Sequence, residues 1–126
     1  MIHLDANVLI NLSKAGSTVA AKVGMWIRAG ERLGTAAPSW QEYVTGPVTP
    51  VEIAKAVLVL QGGILPYDKA QAEKAAEFFN LTGRRRTVKF DCMIAAAAVV
   101  ANATLATSNG ADFLMFVPFG LKLEVV

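Results

Sequence analysis

Four of the ten carboxylates in this 126-residue chain, Asp5, Glu42, Asp91 and Asp112, stand where short apolar runs give way to turns or helix starts. Carboxylate oxygens are hard donors. Bringing several together without a cation raises their pKa values at a cost of several kcal/mol, and Mg2+ or Mn2+, which prefer oxygen ligands, relieves that cost. With a single histidine, His3, and a single cysteine, Cys92, the chain offers neither a soft-ligand zinc cluster nor an internal disulfide. Each acid also has a plain structural reading. Ser39-x-x-Glu42 fits a capping box, Asp91 an N-cap, Asp112 the start of a short helix and Asp5 a turn. Taken singly, those readings win, and the case for a metal site rests on convergence.

The elements decide whether the four acids meet. Ile2 to Leu4 reads as a buried strand ending at Asp5, followed by a short apolar helix closing near Gly16. Ser17 caps a helix to Ala29, with Val19, Val23, Trp26 and Ile27 on one face. Leu33 to Ala37 reads as a second strand, with a helix from Ser39 that carries Glu42 in its first turn. Thr49-Pro50-Val51-Glu52 opens another helix with a capping box, ending at Gly62-Gly63. Ile64 to Pro66 is a short strand, and Asp68 caps a helix stopped by Gly83. A polar loop with three arginines leads to an almost wholly apolar helix, Asp91 to Ala101, then a strand at Thr104 to Thr107, a brief helix at Ser108 to Phe113, and an edge strand at Leu121 to Val125. Strands separated by helices imply parallel pairing with right-handed crossovers, hence a three-layer α/β/α sandwich around a central, mostly parallel sheet. In such sheets ligands gather beyond the carboxyl ends of the strands, and all four acids fall there.

Length and a 54% hydrophobic content are those of one domain, 1–126, with a substantial core. The net charge of +2 is compatible with nucleic acid without selecting it. Placement is more informative, because Arg84, Arg85, Arg86 and Lys89 fall just before Asp91 and are the candidates for contacting phosphates; a solvated loop after a helix end is the competing reading. One cysteine, no basic leader before the first strand and no apolar run of spanning length point to the cytoplasm and to no membrane. Leu58, Leu60, Phe78, Phe79, Phe116 and Phe119 look like more exposed apolar surface than a monomer carries, so a homodimer is expected. His3 and Cys92 read as core residues, as do Trp26 and Trp40. A phosphatase of the haloacid dehalogenase type is disfavoured because Asn7 stands where its second aspartate belongs.

The segments Leu4-Asp5-Ala6-Asn7-Val8-Leu9-Ile10, Pro38-Ser39-Trp40-Gln41-Glu42, Phe90-Asp91-Cys92-Met93-Ile94-Ala95-Ala96 and Leu105-Ala106-Thr107-Ser108-Asn109-Gly110-Ala111-Asp112-Phe113 resemble, in order and separation, the PIN-domain metal-dependent nucleases, and specifically their VapC-type toxins. The resemblance implies a metal-dependent endoribonuclease that hydrolyses RNA, holds Mg2+ or Mn2+ on Asp5, Glu42, Asp91 and Asp112, dimerises and is silenced by a small antitoxin protein. It also implies that Asn7, Thr107 and Asn109 orient the acids or water. Ala6 departs from the pattern, which usually carries Ser or Thr there. Two other expectations stand beside it: a non-catalytic PIN-like interaction module, and a PIN ribonuclease of RNA processing outside a toxin pair.

Overall fold

The computed structural model describes all 126 residues. Five strands, β1 (Ile2–Leu4), β2 (Leu33–Ala36), β3 (Gly63–Leu65), β4 (Thr104–Thr107) and β5 (Lys122–Val125), form one parallel sheet in the order β3-β2-β1-β4-β5. Six α-helices connect them: α1 (Ala6–Asn11), α2 (Thr18–Arg28), α3 (Ala37–Thr45), α4 (Pro50–Val59), α5 (Lys69–Leu81) and α6 (Lys89–Val100). The chain builds outward from β1 to β3, then crosses back to lay β4 on the other side of β1. Right-handed crossovers therefore put α1 to α4 on one face and α5 and α6 on the other. This is the α/β/α sandwich that the alternation of elements implies.

Strand parity divides the core. Ile2 and Leu4 point into a cluster with Leu9, Val23, Leu33 and Tyr43. Leu105, Phe78, Ile94, Ala95, Ala96 and Phe116 form a second cluster on the opposite face. Four consecutive alanines, Ala95 to Ala98, are 0% exposed, so α6 lies close enough to the sheet that larger side chains would not fit.

Local chemistry places most helix starts. Ser17, Thr49 and Asp68 each accept a backbone N–H as N-caps, and Thr49 and Glu52 complete a reciprocal capping box. Two helix starts differ from expectation. α3 begins at Ala37, not Ser39, with Pro38 in its first turn and no side-chain cap, so Ser39-x-x-Glu42 is not a capping box and Glu42 lies in the second turn. α6 begins at Lys89 after a 3-10 turn over Arg86–Val88, so Asp91 is inside the first turn and is not the N-cap. A second unexpected 3-10 segment, Leu114–Phe119, folds Phe116 into the core. The apolar stock behind the homodimer expectation also shrinks. Leu60, Phe78 and Phe116 are buried, which leaves Leu58 and Phe119 exposed and Phe79 half-buried.

Candidate active site

The sheet reverses its direction of growth at β1, and the crevice between the carboxyl ends of β1 and β4 is the switch point where such folds bind ligands. Asp5 stands at its base. Its N–H donates to the Ala106 carbonyl at 3.0 Å, continuing the β1–β4 pairing by one residue. On the other flank β1 and β2 pair only at Ile2–Leu33 and His3–Gly34, and the Thr35 hydroxyl donates to the Leu4 carbonyl at 2.6 Å where the strands part. The Leu4–Asp5 peptide is thus tied to both neighbouring strands.

The Asp5 carboxylate is buried and fully engaged. Oδ1 accepts the Ala6 N–H at 2.8 Å and the Ser39 hydroxyl at 3.4 Å. Oδ2 accepts the Thr107 hydroxyl at 2.8 Å and Asn7 Nδ2 at 3.2 Å. Asn7 Nδ2 also donates to Thr107 Oγ1, and its Oδ1 accepts the Ser108 N–H. Asn109 joins through its backbone N–H, which donates to Thr107 Oγ1. Asn7 and Thr107 are therefore joined to Asp5 directly. Ser39 and Ser108 complete the set although the sequence did not single them out for it. The signal for Ser39 was Pro38, which belongs at a helix's first positions and displaces the cap toward the strand.

Three further acids surround this point. Asp91, half-buried in the first turn of α6, has its carboxyl pushed up to about 6, first by burial and then by the charges of Asp112, Asp5 and Glu42. Glu42 is raised as well, by burial and by Asp5. Glu42 and Asp112 are exposed, so the cluster grades from a buried floor to an open rim. Four acids of one sign thus sense one another. None joins any of the three ion pairs in the molecule, Lys22–Glu124, Lys69–Glu73 and Lys74–Glu77.

An uncompensated set of oxygen donors in one crevice fits a hard divalent cation. No three of them converge closely enough in this conformation to hold one ion between them.

The basic residues separate. Arg84 and Lys89 both approach the Phe79 ring, each 5.4 Å from its centroid, on the α5 side of α6. Two positions along a helix turn a side chain by about 200°, so Lys89 points away from Asp91. Arg85 reaches the other way, to Met115 Sδ at 3.6 Å, and Arg86 opens the 3-10 turn. His3 is buried with neither ring nitrogen bonded, and burial, then the N-terminal charge, lowers its pKa to about 4. It stays neutral and inaccessible, as a core residue. Cys92 is buried in the α6 cluster, and Trp40 packs against Tyr43 at 5.3 Å.

A comparison with curated proteins finds no match. Among solved structures, FitAcB from Neisseria gonorrhoeae is 21% identical over 98% of this chain and 96% of its own, with a TM-score of 0.74. VapBC2 from Rickettsia felis, bound to a DNA fragment from its promoter, is 17% identical over 100% of this chain and 99% of its own, with a TM-score of 0.76. A toxin–antitoxin complex from Klebsiella pneumoniae is 19% identical over 90% and 91%, with a TM-score of 0.70. At these identities the likeness is one of fold. A model of the PIN domain matches residues 2–115, a span that holds all four acids and the polar network on Asp5, and this chain belongs to the PIN domain family.

Proposed function

We propose that this protein is a divalent-metal-dependent endoribonuclease acting as the toxin of a toxin–antitoxin pair. The observation that carries the reading is Asp5, locked by Ala6, Asn7, Ser39 and Thr107 at the sheet's switch point beneath three acids with no basic partner. Asp5, Glu42, Asp91 and Asp112 are the residues to hold Mg2+ or Mn2+. The chemistry such an ion supplies when bound is neutralisation of phosphate charge and acidification of water.

The chain's own residues do the rest. Thr107 and Asn7, donating to Oδ2, and Ala6 and Ser39, donating to Oδ1, fix the orientation of the Asp5 carboxylate. Glu42 and Asp112, being exposed, reach a bound strand from the rim. His3 contributes no proton transfer, because its buried ring cannot touch a substrate. RNA is the substrate class that the family resemblance implies. The toxin role draws on the likeness to the Klebsiella complex, whose partner is an antitoxin. A homodimer belongs to the proposal on narrower ground, with Leu58 75% and Phe119 40% exposed. Sedimentation at micromolar concentration giving only a 13.4 kDa species removes it.

The deciding experiment incubates the purified protein with RNA and DNA of one sequence, with Mg2+, with Mn2+ and with chelator. Metal-dependent RNA cleavage is expected, and Asp5→Asn is expected to lower it more than about a hundredfold, since even outer partners of metal ligands are worth 10 to 100. Expression of the wild type, but not of Asp5→Asn, should arrest growth. An Asp5→Asn protein indistinguishable from a wild type that cleaves nothing would leave a non-catalytic interaction module.

A further inference from the structure

The corner between α5 and α6 carries cations in places where folding alone disfavours them. α5 ends in a Schellman-type closure, with Gly83 at φ 94° and the Arg84 N–H donating to the Phe79 carbonyl at 2.9 Å. Arg84 itself is left-handed, at φ 58°, one of only two non-glycine residues in that region. Asparagine or glycine holds such a position more cheaply than arginine. Lys89 is the first residue of α6, at the positive end of the helix dipole, where a cation is unfavourable and an acid is preferred.

Both side chains are nonetheless held in place. Arg84 donates to Asn80 Oδ1, and both cations lie over the Phe79 ring. Both are exposed and neither has a carboxylate partner. Two positive charges kept at a local cost, each 5.4 Å from the centroid of one ring and left open to solvent, are suited to an anionic partner. Inorganic phosphate alone does not account for their position, one helix diameter, roughly 10–12 Å, across α6 from Asp91. At about 3.4 Å per nucleotide of a stacked strand that is roughly three nucleotides.

We infer that Arg84 and Lys89, braced on Phe79, grip backbone phosphates of a single-stranded RNA roughly three nucleotides from the bond being cut. This rests on the nuclease reading for its substrate, and it adds a length requirement. The strand crosses the N-terminus of α6, with one phosphate in the acidic crevice and others on the corner. RNA too short to span both loses the outer contacts. The ring serves as a brace for the cations and not as a base-stacking platform, because they already occupy it.

The test is an Arg84→Asn/Lys89→Gln double variant, which keeps the backbone preference at 84 and removes an ill-placed charge at 89. Its thermal midpoint is expected at or above that of the wild type. Binding of a labelled 12-nucleotide RNA is measured by anisotropy in chelator from 50 to 300 mM NaCl. Losing two phosphate contacts should lower the log–log salt slope by about 1.4 and weaken binding on the order of tenfold at 0.1 M salt. With Mn2+ present, the preference in kcat/KM for the 12-mer over a trinucleotide should shrink by a similar factor.

An unchanged slope and an unchanged length preference overturn the corner while leaving the nuclease reading intact. A wild type that binds no RNA in chelator also overturns it. If the wild type binds RNA with the expected slope change but cleaves none, the nuclease reading fails and the corner stands.

Discussion

A half-buried carboxyl facing three other carboxylates keeps its proton to higher pH, and Asp91 does so up to about 6. In the unfolded chain an aspartate titrates near 3.9. Between about pH 4 and 6 the folded protein therefore binds more protons than the unfolded chain. The contribution of this group to stability is full below about 4 and is lost as pH rises through about 6. Glu42, raised in the same direction, adds to the trend. His3, lowered to about 4, gains stability over the same window and opposes the trend, so the test is a difference between proteins. The wild-type midpoint in chelator minus that of Asp91→Asn should fall between pH 4 and 7; a difference that stays flat or climbs would sink the electrostatic account. The four acids stand out in the sequence because each reads as lying at an element boundary, a placement that holds for Asp5, Asp91 and Asp112 but not for Glu42, which is in the second turn of α3. The clamp on Asp5 was legible only in part. Asn7 and Thr107 came through family resemblance, whereas the Ser39 contact depends on a helix start two residues earlier than its capping pattern suggested.

Helices whose starts are set by side-chain caps were readable from a few neighbouring residues, as at Ser17, Thr49 and Asp68. Those set by contacts distant in sequence were not. Nothing local marks Leu114–Phe119 as helical, because what folds it is burial of Phe116 against Phe78, with ring centroids 5.4 Å apart. The turn that carries Asp112 was read in the sequence as a brief helix at Ser108 to Phe113, although the contact that fixes it is distant in sequence. It spans Gly110–Asp112, and Gly110 lies so close to the last strand that an added Cβ would stand 2.4 Å from Val125 Cγ2. The strand and the turn approach each other because residue 110 has no side chain. Gly110→Ala should destabilise the protein by about 1–3 kcal/mol, the usual cost of overpacking. Adding Val125→Ala should recover most of it, since Val125 is 60% exposed and little is lost by trimming it. Denaturant titration of the two single variants and the double gives the coupling. Additive costs would show that the contact is not what limits residue 110.

Across the molecule, the site joins positions that only the topology unites: the hydrogen bond from Thr107 to Asp5 spans 102 residues of chain. Parallel pairing was implied by alternation of strands and helices, but the order β3-β2-β1-β4-β5 is settled by which crossover packs on which face. Composition likewise could not say which apolar residues stay exposed, so Phe78 and Phe116, counted as surface, became core while Leu58 did not. Because the four acids come from four separate segments, a cation held by them opposes unfolding of the whole sheet and not of one loop. A ligand bound only by the folded state adds RT ln(1 + [L]/Kd), about 1.4 kcal/mol at ten times Kd. For a domain of this size that is a rise of roughly 3–8 °C in thermal midpoint. Saturating Mg2+ or Mn2+ should produce it in the wild type near pH 7. Sodium chloride at matched ionic strength should not, and Asp5→Asn should lose most of it because the buried anchor of the set is gone. Equal shifts in both proteins would place the cation elsewhere on the surface. The effect should also fade below about pH 6, where protons occupy Asp91 and compete with the metal for the same oxygens.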